Sequence, residues 1–192
     1  MMRAVFVLAT SLAVLSSQER TPGGLPQFSS PSSVERNPAA VKRPAVTGDP
    51  LLRLYPDLAD VPGLRPTGAS QFCGGGEGLI ALYDGGYMRF VRAGVTRASR
   101  RYYKLEGATV EIIVHQLTRA EAARAFLVSL CQDIRAKSEA AGRFCSVAKN
   151  GTSYGYVSFG AYLTSVSFDK EDPKKIRLLL DASGRRLAAA GR

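Results

Sequence analysis

The sequence predicts an α+β domain: a mainly antiparallel sheet of about five strands, two longer helices packed on it, and a short helix after an Asp-Gly-Gly turn. Three observations carry that prediction. Apolar-polar alternation recurs in pairs of segments joined by tight-turn dipeptides, Glu106-Gly107 and Asn150-Gly151. Two other stretches place apolar residues three and four positions apart. The order strands, helix, strands, helix favours helices covering one face of an antiparallel sheet.

In chain order, the first element is not part of the domain. Arg3 followed by an uncharged stretch from Ala4 to Leu15, with Val14, Ser16 and Ser17 as a small-residue cleavage site, predicts a signal peptide over residues 1–17. The stretch is shorter than the ~20 apolar residues a membrane-spanning helix needs. Residues 18–50 repeat Pro and Ser without apolar period, which predicts a disordered linker. One α+β domain then occupies 51–192, opening with a lead-in from Leu51 that drapes onto it. An exported chain, periplasmic or extracellular and not membrane-spanning, is expected, and no nucleic acid is expected in that compartment.

Asp84 is expected to cap a short helix whose Tyr87, Phe90 and Val91 share a face, with Gly94 ending it in the left-handed region. The hairpin of SRRYYKL and ATVEIIVHQ follows. With a two-residue turn, Leu105 faces Ala108 and Tyr102 faces Glu111. Arg100, Lys104 and Glu111 then form an exposed cross-strand charge cluster. Arg101 faces Ile112, and a bulge is expected to relieve it. A helix is predicted from Thr118 to about Ala141, opened by a Thr118/Glu121 capping box and inward-facing at Ala123, Phe126, Leu127, Leu130, Cys131 and Ile134. RFCSVAK, TSYGYVSF and AYLTSVSF supply three further strands. Asp172 and Pro173 start the closing helix, with Ile176, Leu179, Leu180 and Leu187 inward.

The segment LYDGGYMRFVRAGV resembles the centre of a family of secreted bacterial proteins defined only as a domain of unknown function. Tyr83, Asp84, Gly85 and Gly86 match its Tyr-Asn/Asp-Gly-Gly/Ala opening, Gly94 its helix stop, and Val110-Glu111 its strand hairpin. Ala122, Ala123 and Phe126 match its Ala/Phe-rich helix, and Tyr156-Val157 its last hairpin, so the resemblance spans roughly Leu64 to Ala190. Met88 stands where members often have an acid. The resemblance implies a small module of the photosystem-assembly and nuclear-transport-factor type, which binds partners and lacks catalysis.

Several chemistries are disfavoured by the residues themselves. The glycines of GGGEG lack both the phosphate-loop lysine and the strand and helix that a dinucleotide fingerprint needs. They read as backbone devices, as do Gly85 and Gly86. His115 is the single histidine, so any hydrolytic triad must use it. Glu111, four strand residues away, lies about 13 Å off. Cys73, Cys131 and Cys145 lack metal-ligand spacing and are odd in number, allowing at most one internal bridge. Cys131 and Cys145, at the helix end and on the returning strand, are expected to form it. No metal and no cofactor is expected.

The net charge of +10 favours anionic partners. Arg97, Arg100, Arg101 and Lys104 on one strand, with Lys174, Lys175 and Arg177 on the closing helix, are the candidate contact surface for a polyanion or protein partner. The expected function is a secreted or periplasmic, non-enzymatic binding module whose partner is an envelope protein or an anionic surface polymer. The alternative is an enzyme with a cleft around Asp84, Tyr87 and Glu111.

Overall fold

The structure is a computed structural model that describes residues 48–192 apart from residues 84, 138, 140–142 and 192. The expected signal peptide and nearly all of the expected linker lie outside the described residues. Within them, β1 (Arg65–Pro66), β2 (Gln71–Gly74), α1 (Tyr87–Arg92), β3 (Val95–Leu105) and β4 (Ala108–Leu117) lead into α2 (Ala120–Asp133). Then come β5 (Phe144–Lys149), β6 (Thr152–Phe159), β7 (Tyr162–Phe168) and α3 (Pro173–Ala190). The class is α+β, with one antiparallel sheet in the order β1-β3-β4-β7-β6-β5 and β2 also paired to β3. The five long strands are β3 to β7; β1 and β2 are short additions along the outer side of β3.

Both tight turns have left-handed backbones at both central residues: Glu106 (φ 51°) with Gly107 (φ 80°), and Asn150 (φ 55°) with Gly151 (φ 78°). Those turns match the twist of the strands they join. They set the register, with Leu105 opposite Ala108 and Tyr102 opposite Glu111. Arg101 stays opposite Ile112, and no bulge intervenes; the irregularity in β3 lies between Val95 and Arg97. Arg101 escapes the apolar face sideways. Its guanidinium sits 5.6 Å from the Tyr103 ring centre and its Nε donates to the Gly68 carbonyl.

After β4 the chain crosses the sheet along α2 and enters β5 at the far edge. The β5-β6-β7 meander then returns, so that the last strand pairs with β4. Strand alternation gives the sheet two faces. Val110, Ile112, Val166, Phe168, Val157 and Phe144 lie on the first, in one apolar cluster with Ile176, Leu179, Leu180 and Leu187 of α3. The lead-in joins that cluster through Leu51, Leu54, Tyr55, Val61 and Leu64. Arg186 of α3 clamps it there by ion pairs to Asp57 and Asp60. Ile113, His115, Leu163, Tyr156 and Cys145 lie on the second face. There Cys145 bonds to Cys131 of α2, and Phe90 of α1 stacks on His115.

The expectation that the helices cover one face is therefore corrected: α3 takes the first face, α1 and α2 the second. The cause is visible in β4, where Ile113, His115 and Leu117 are as buried as Ile112 and Val114. A central strand apolar on both sides requires cover on both.

Two local expectations about α2 also change. The Thr118/Glu121 capping box does not form; Arg119 is the N-cap, without a side-chain cap bond, and the Thr118 amide donates instead to the Gly94 carbonyl. The helix stops at Asp133, short of Ala141. Arg135 turns left-handed (φ 55°), and the amides of Arg135 and Ala136 bond to the carbonyls of Gln132 and Cys131. That is a Schellman stop built on arginine rather than glycine. By contrast α3 starts as its sequence indicates. The Asp172 carboxylate accepts from the amides of Lys174 and Lys175 at 3.0 and 2.9 Å, with Pro173 first in the helix.

Candidate functional site

The two faces differ in how far they are covered. On the second face, alternate residues line up in rows that run across the strands. The row Ile113, Ser165, Tyr156, Cys145 is buried beneath the helices. The next row, Tyr102, Glu111, Ser167, Tyr154 and Val147, takes one residue from each of β3, β4, β7, β6 and β5, and all five are only half-buried. Beyond it, Lys104 is exposed, while Thr109, Thr152 and Lys149 are half-buried. Half of this face is thus a pleated floor that reaches solvent across five strands.

Glu111 is the chemical centre of the floor. Its side chain is only 12% exposed, and Arg100 Nη1 stands 3.6 Å from its Oε1. Burial pushes the carboxyl above its usual value, while hydrogen bonding from Tyr102 and the Arg100 charge pull it back. Burial also lifts the Tyr102 phenol to about 12, so its hydroxyl stays protonated and can donate. The charge cluster expected to be exposed is therefore mostly covered. Arg100 is a clamp rather than a free cation: Nε and Nη2 bond to Gln71 Oε1 at 3.1 and 2.7 Å, and Nη1 also donates to the Leu82 carbonyl. It ties β2, the chain before α1, and β4 together.

Beside the floor, under α1, Tyr83, Phe90 and His115 stack with ring centres 3.8 and 5.5 Å apart, and Phe126 meets Phe90 edge-on. His115 is wholly buried. Its Nδ1 faces the Leu163 carbonyl at 3.2 Å, which can only accept, so Nδ1 carries the proton. Nε2 is then an acceptor, and the Tyr83 hydroxyl donates to it. Burial pulls the imidazole down to about 4, so it is neutral at neutral pH. With its acceptor nitrogen occupied by Tyr83, the ring serves packing and offers no base to an outside molecule.

The remaining residues singled out in the sequence are distributed as follows. Among the basic set, Arg97 and Arg101 point to the first face, Arg100 and Lys104 to the second, and Lys174, Lys175 and Arg177 lie on α3. Lys175 pairs with Glu106; Arg177 pairs with Glu139 and Asp181 and lies 3.9 Å over the Phe144 ring. Among the described residues no ion pair engages Arg97, Lys104 or Lys174. The seven do not share one surface.

Asp84 lies outside the described residues, so its capping role and its part in a cleft do too. Tyr87 opens α1 and is half-buried, and no contact among the described residues joins it to Glu111. Gly85 and Gly94 have left-handed backbones (φ 78° and 87°), and Gly86 stands at the N-cap of α1. A Cβ on Gly75 would fall 2.9 Å from the Val95 carbonyl, so that glycine permits close approach to β3. Cys131 and Cys145 are joined, with Cα atoms 5.9 Å apart, while Cys73 stands outside the bridge as a buried thiol. Among the described residues no cluster of three potential metal ligands occurs, and no helix is long and apolar enough to cross a membrane. An open groove of about 540 Å³ lies between α1 and α2, lined by Arg89, Arg92, Ala122, Ala125 and Ser129.

The sequence reading missed Thr109, Lys149, Thr152, Tyr154 and Ser167. Their signal is the small or polar residue at the non-apolar alternate positions of four strands, which becomes a row only once the strand order is known.

No family model and no curated protein matches the chain. A solved structure does: the extracellular domain of PknH from Mycobacterium tuberculosis, with a TM-score of 0.50 and 11% sequence identity, covering 72% of this chain and 92% of that one. At that identity the likeness shows a shared fold.

Proposed function

We propose that the protein is an exported, non-catalytic binding module that engages an anionic partner outside the cytoplasm through the solvent-reaching half of its second sheet face. One observation carries the reading: five adjacent strands, four of them central, raise a row of incompletely buried side chains, four of the five polar, instead of a covered apolar one. An antiparallel sheet can leave part of one face in water, and a solvent-reaching row that crosses five strands of a rigid scaffold gives a partner a surface on which to dock. The signal-peptide pattern of residues 1–17 supports export. So does the fold shared with a domain described as extracellular. The resemblance of LYDGGYMRFVRAGV to secreted proteins of unknown function points the same way.

Lys104 and Lys149 stand on the floor itself and supply its attraction for anions. Heparin chromatography of the mature chain tests the reading. Retention at low salt, with release near 0.3 M as screening shortens, is expected. Replacing Lys104 and Lys149 together by Ser lowers the eluting salt, whereas Lys174→Ser on the opposite face leaves it. The reverse pattern moves the contact to the α3 face, and passage without retention removes the anionic partner.

A further inference from the structure

We infer that the occupant of this floor is an acidic polysaccharide chain lying across the strands, an inference that rests on the binding surface proposed above. Tyr102 and Tyr154 stand in one row with the two strands β4 and β7 between them. At about 4.8 Å per strand their backbones are roughly 14 Å apart. Only Glu111 and Ser167 intervene; in the next row Lys104 and Thr109 on one side and Thr152 and Lys149 on the other flank the position of Asp169, just past β7, whose amide donates to the Thr109 carbonyl. The floor therefore offers two aromatic rings, a set of hydroxyls at strand spacing and a cation near each side.

Sugar rings present the complementary features. Their C–H faces pack on tyrosine rings, and their hydroxyls exchange bonds with Ser, Thr and carboxyl groups. Carboxylates along the chain meet the two lysines, and the Arg100–Glu111 pair cancels within the floor. A membrane surface fits less well. The large apolar residues that reach solvent, Ile80, Met88 and Val128 among them, belong to other elements, and the only apolar member of the row, Val147, is half-buried. A bare polyphosphate would use the lysines but neither the tyrosines nor Ser167.

Titration calorimetry on the mature chain at low salt decides between these, using a short oligogalacturonate, a polyphosphate of matched charge, and phosphatidylglycerol vesicles. Oligogalacturonate is expected to bind about ten-fold or more tighter than polyphosphate. Tyr154→Ser and Ser167→Val should each weaken oligogalacturonate without altering polyphosphate. Circular dichroism reports whether each variant folds; if Tyr154→Ser does not, Ser167→Val decides alone. Equal binding of both polymers, insensitivity to the decisive variant, or binding to vesicles alone overturns the sugar assignment while leaving an anionic contact in place. Failure of all three probes overturns both.

Discussion

The two faces of one sheet are built to different standards. On the first face, α3 and the lead-in seal a continuous apolar layer, in which Ile176, Leu179, Leu180 and Leu187 are at most 1% exposed. Even the glycines are measured to it: a Cβ on Gly155 would fall 2.4 Å from Leu180 Cδ1. On the second face, the helices close half the area over an aromatic-histidine stack and leave the other half polar. Stability thus concentrates on one side and the proposed recognition on the other, which is the division expected where a rigid scaffold carries a binding surface.

The comparison breaks most visibly at α3. Leu179→Ala empties the sealed layer and should cost about 2–5 kcal/mol in chemical denaturation. A loss under about 1 kcal/mol would mean that the first face is not the sheet's main anchor. The disulfide is the second face's counterpart. Replacing Cys131 and Cys145 together by Ser releases a loop closed over a 14-residue separation, and should cost about 3 kcal/mol by loop-closure entropy. Floor residues such as Lys149 should then show the largest loss of amide-exchange protection, because the bridge holds α2 to the edge strand.

The His115 stack gives the second face a pH dependence of its own. The folded imidazole is depressed from 6.5 to about 4. Its stabilisation is complete above pH 6.5 and is lost as pH falls through the folded value, amounting to about 3 kcal/mol at most. Urea midpoints for the native chain should fall between pH 6.5 and 4, and His115→Gln should flatten that slope. Glu111 has the opposite sign, because its carboxyl is raised. Relative to Glu111→Gln, the native chain should lose stability as pH rises past the ordinary carboxylate range. The smallest effect belongs to the floor: Ser167→Ala should change stability by no more than about 0.5 kcal/mol. A larger loss would make the row a packing layer instead of a docking one.

What the sequence made legible was local. Asn150-Gly151, Glu106-Gly107 and Asp172-Pro173 each specify a backbone conformation through their own chemistry, and those elements stand where the residues place them. Thr118 was misleading because its amide had a competing partner, the Gly94 carbonyl, contributed by a segment 24 positions earlier. Arg135 ended α2 without the glycine that usually announces such a stop. The proposed binding row was not legible at all, since Tyr102, Glu111, Ser167, Tyr154 and Val147 become neighbours only through the order β3-β4-β7-β6-β5. Glu111 was misjudged for the same reason: its hairpin partner was readable, but the strand on its other side was not.

That strand order has a consequence for how the chain acquires its shape. β4 finds its inner neighbour only in β7, the last strand synthesised, so one rim of the β3-β4 hairpin stays unpaired until more than forty further residues have emerged. Long-range pairing of this kind slows folding and leaves an apolar strand open to wrong partners meanwhile. The nascent chain should therefore depend on a holding chaperone up to the emergence of Phe168, and a truncation before Tyr162 should aggregate instead of folding in part.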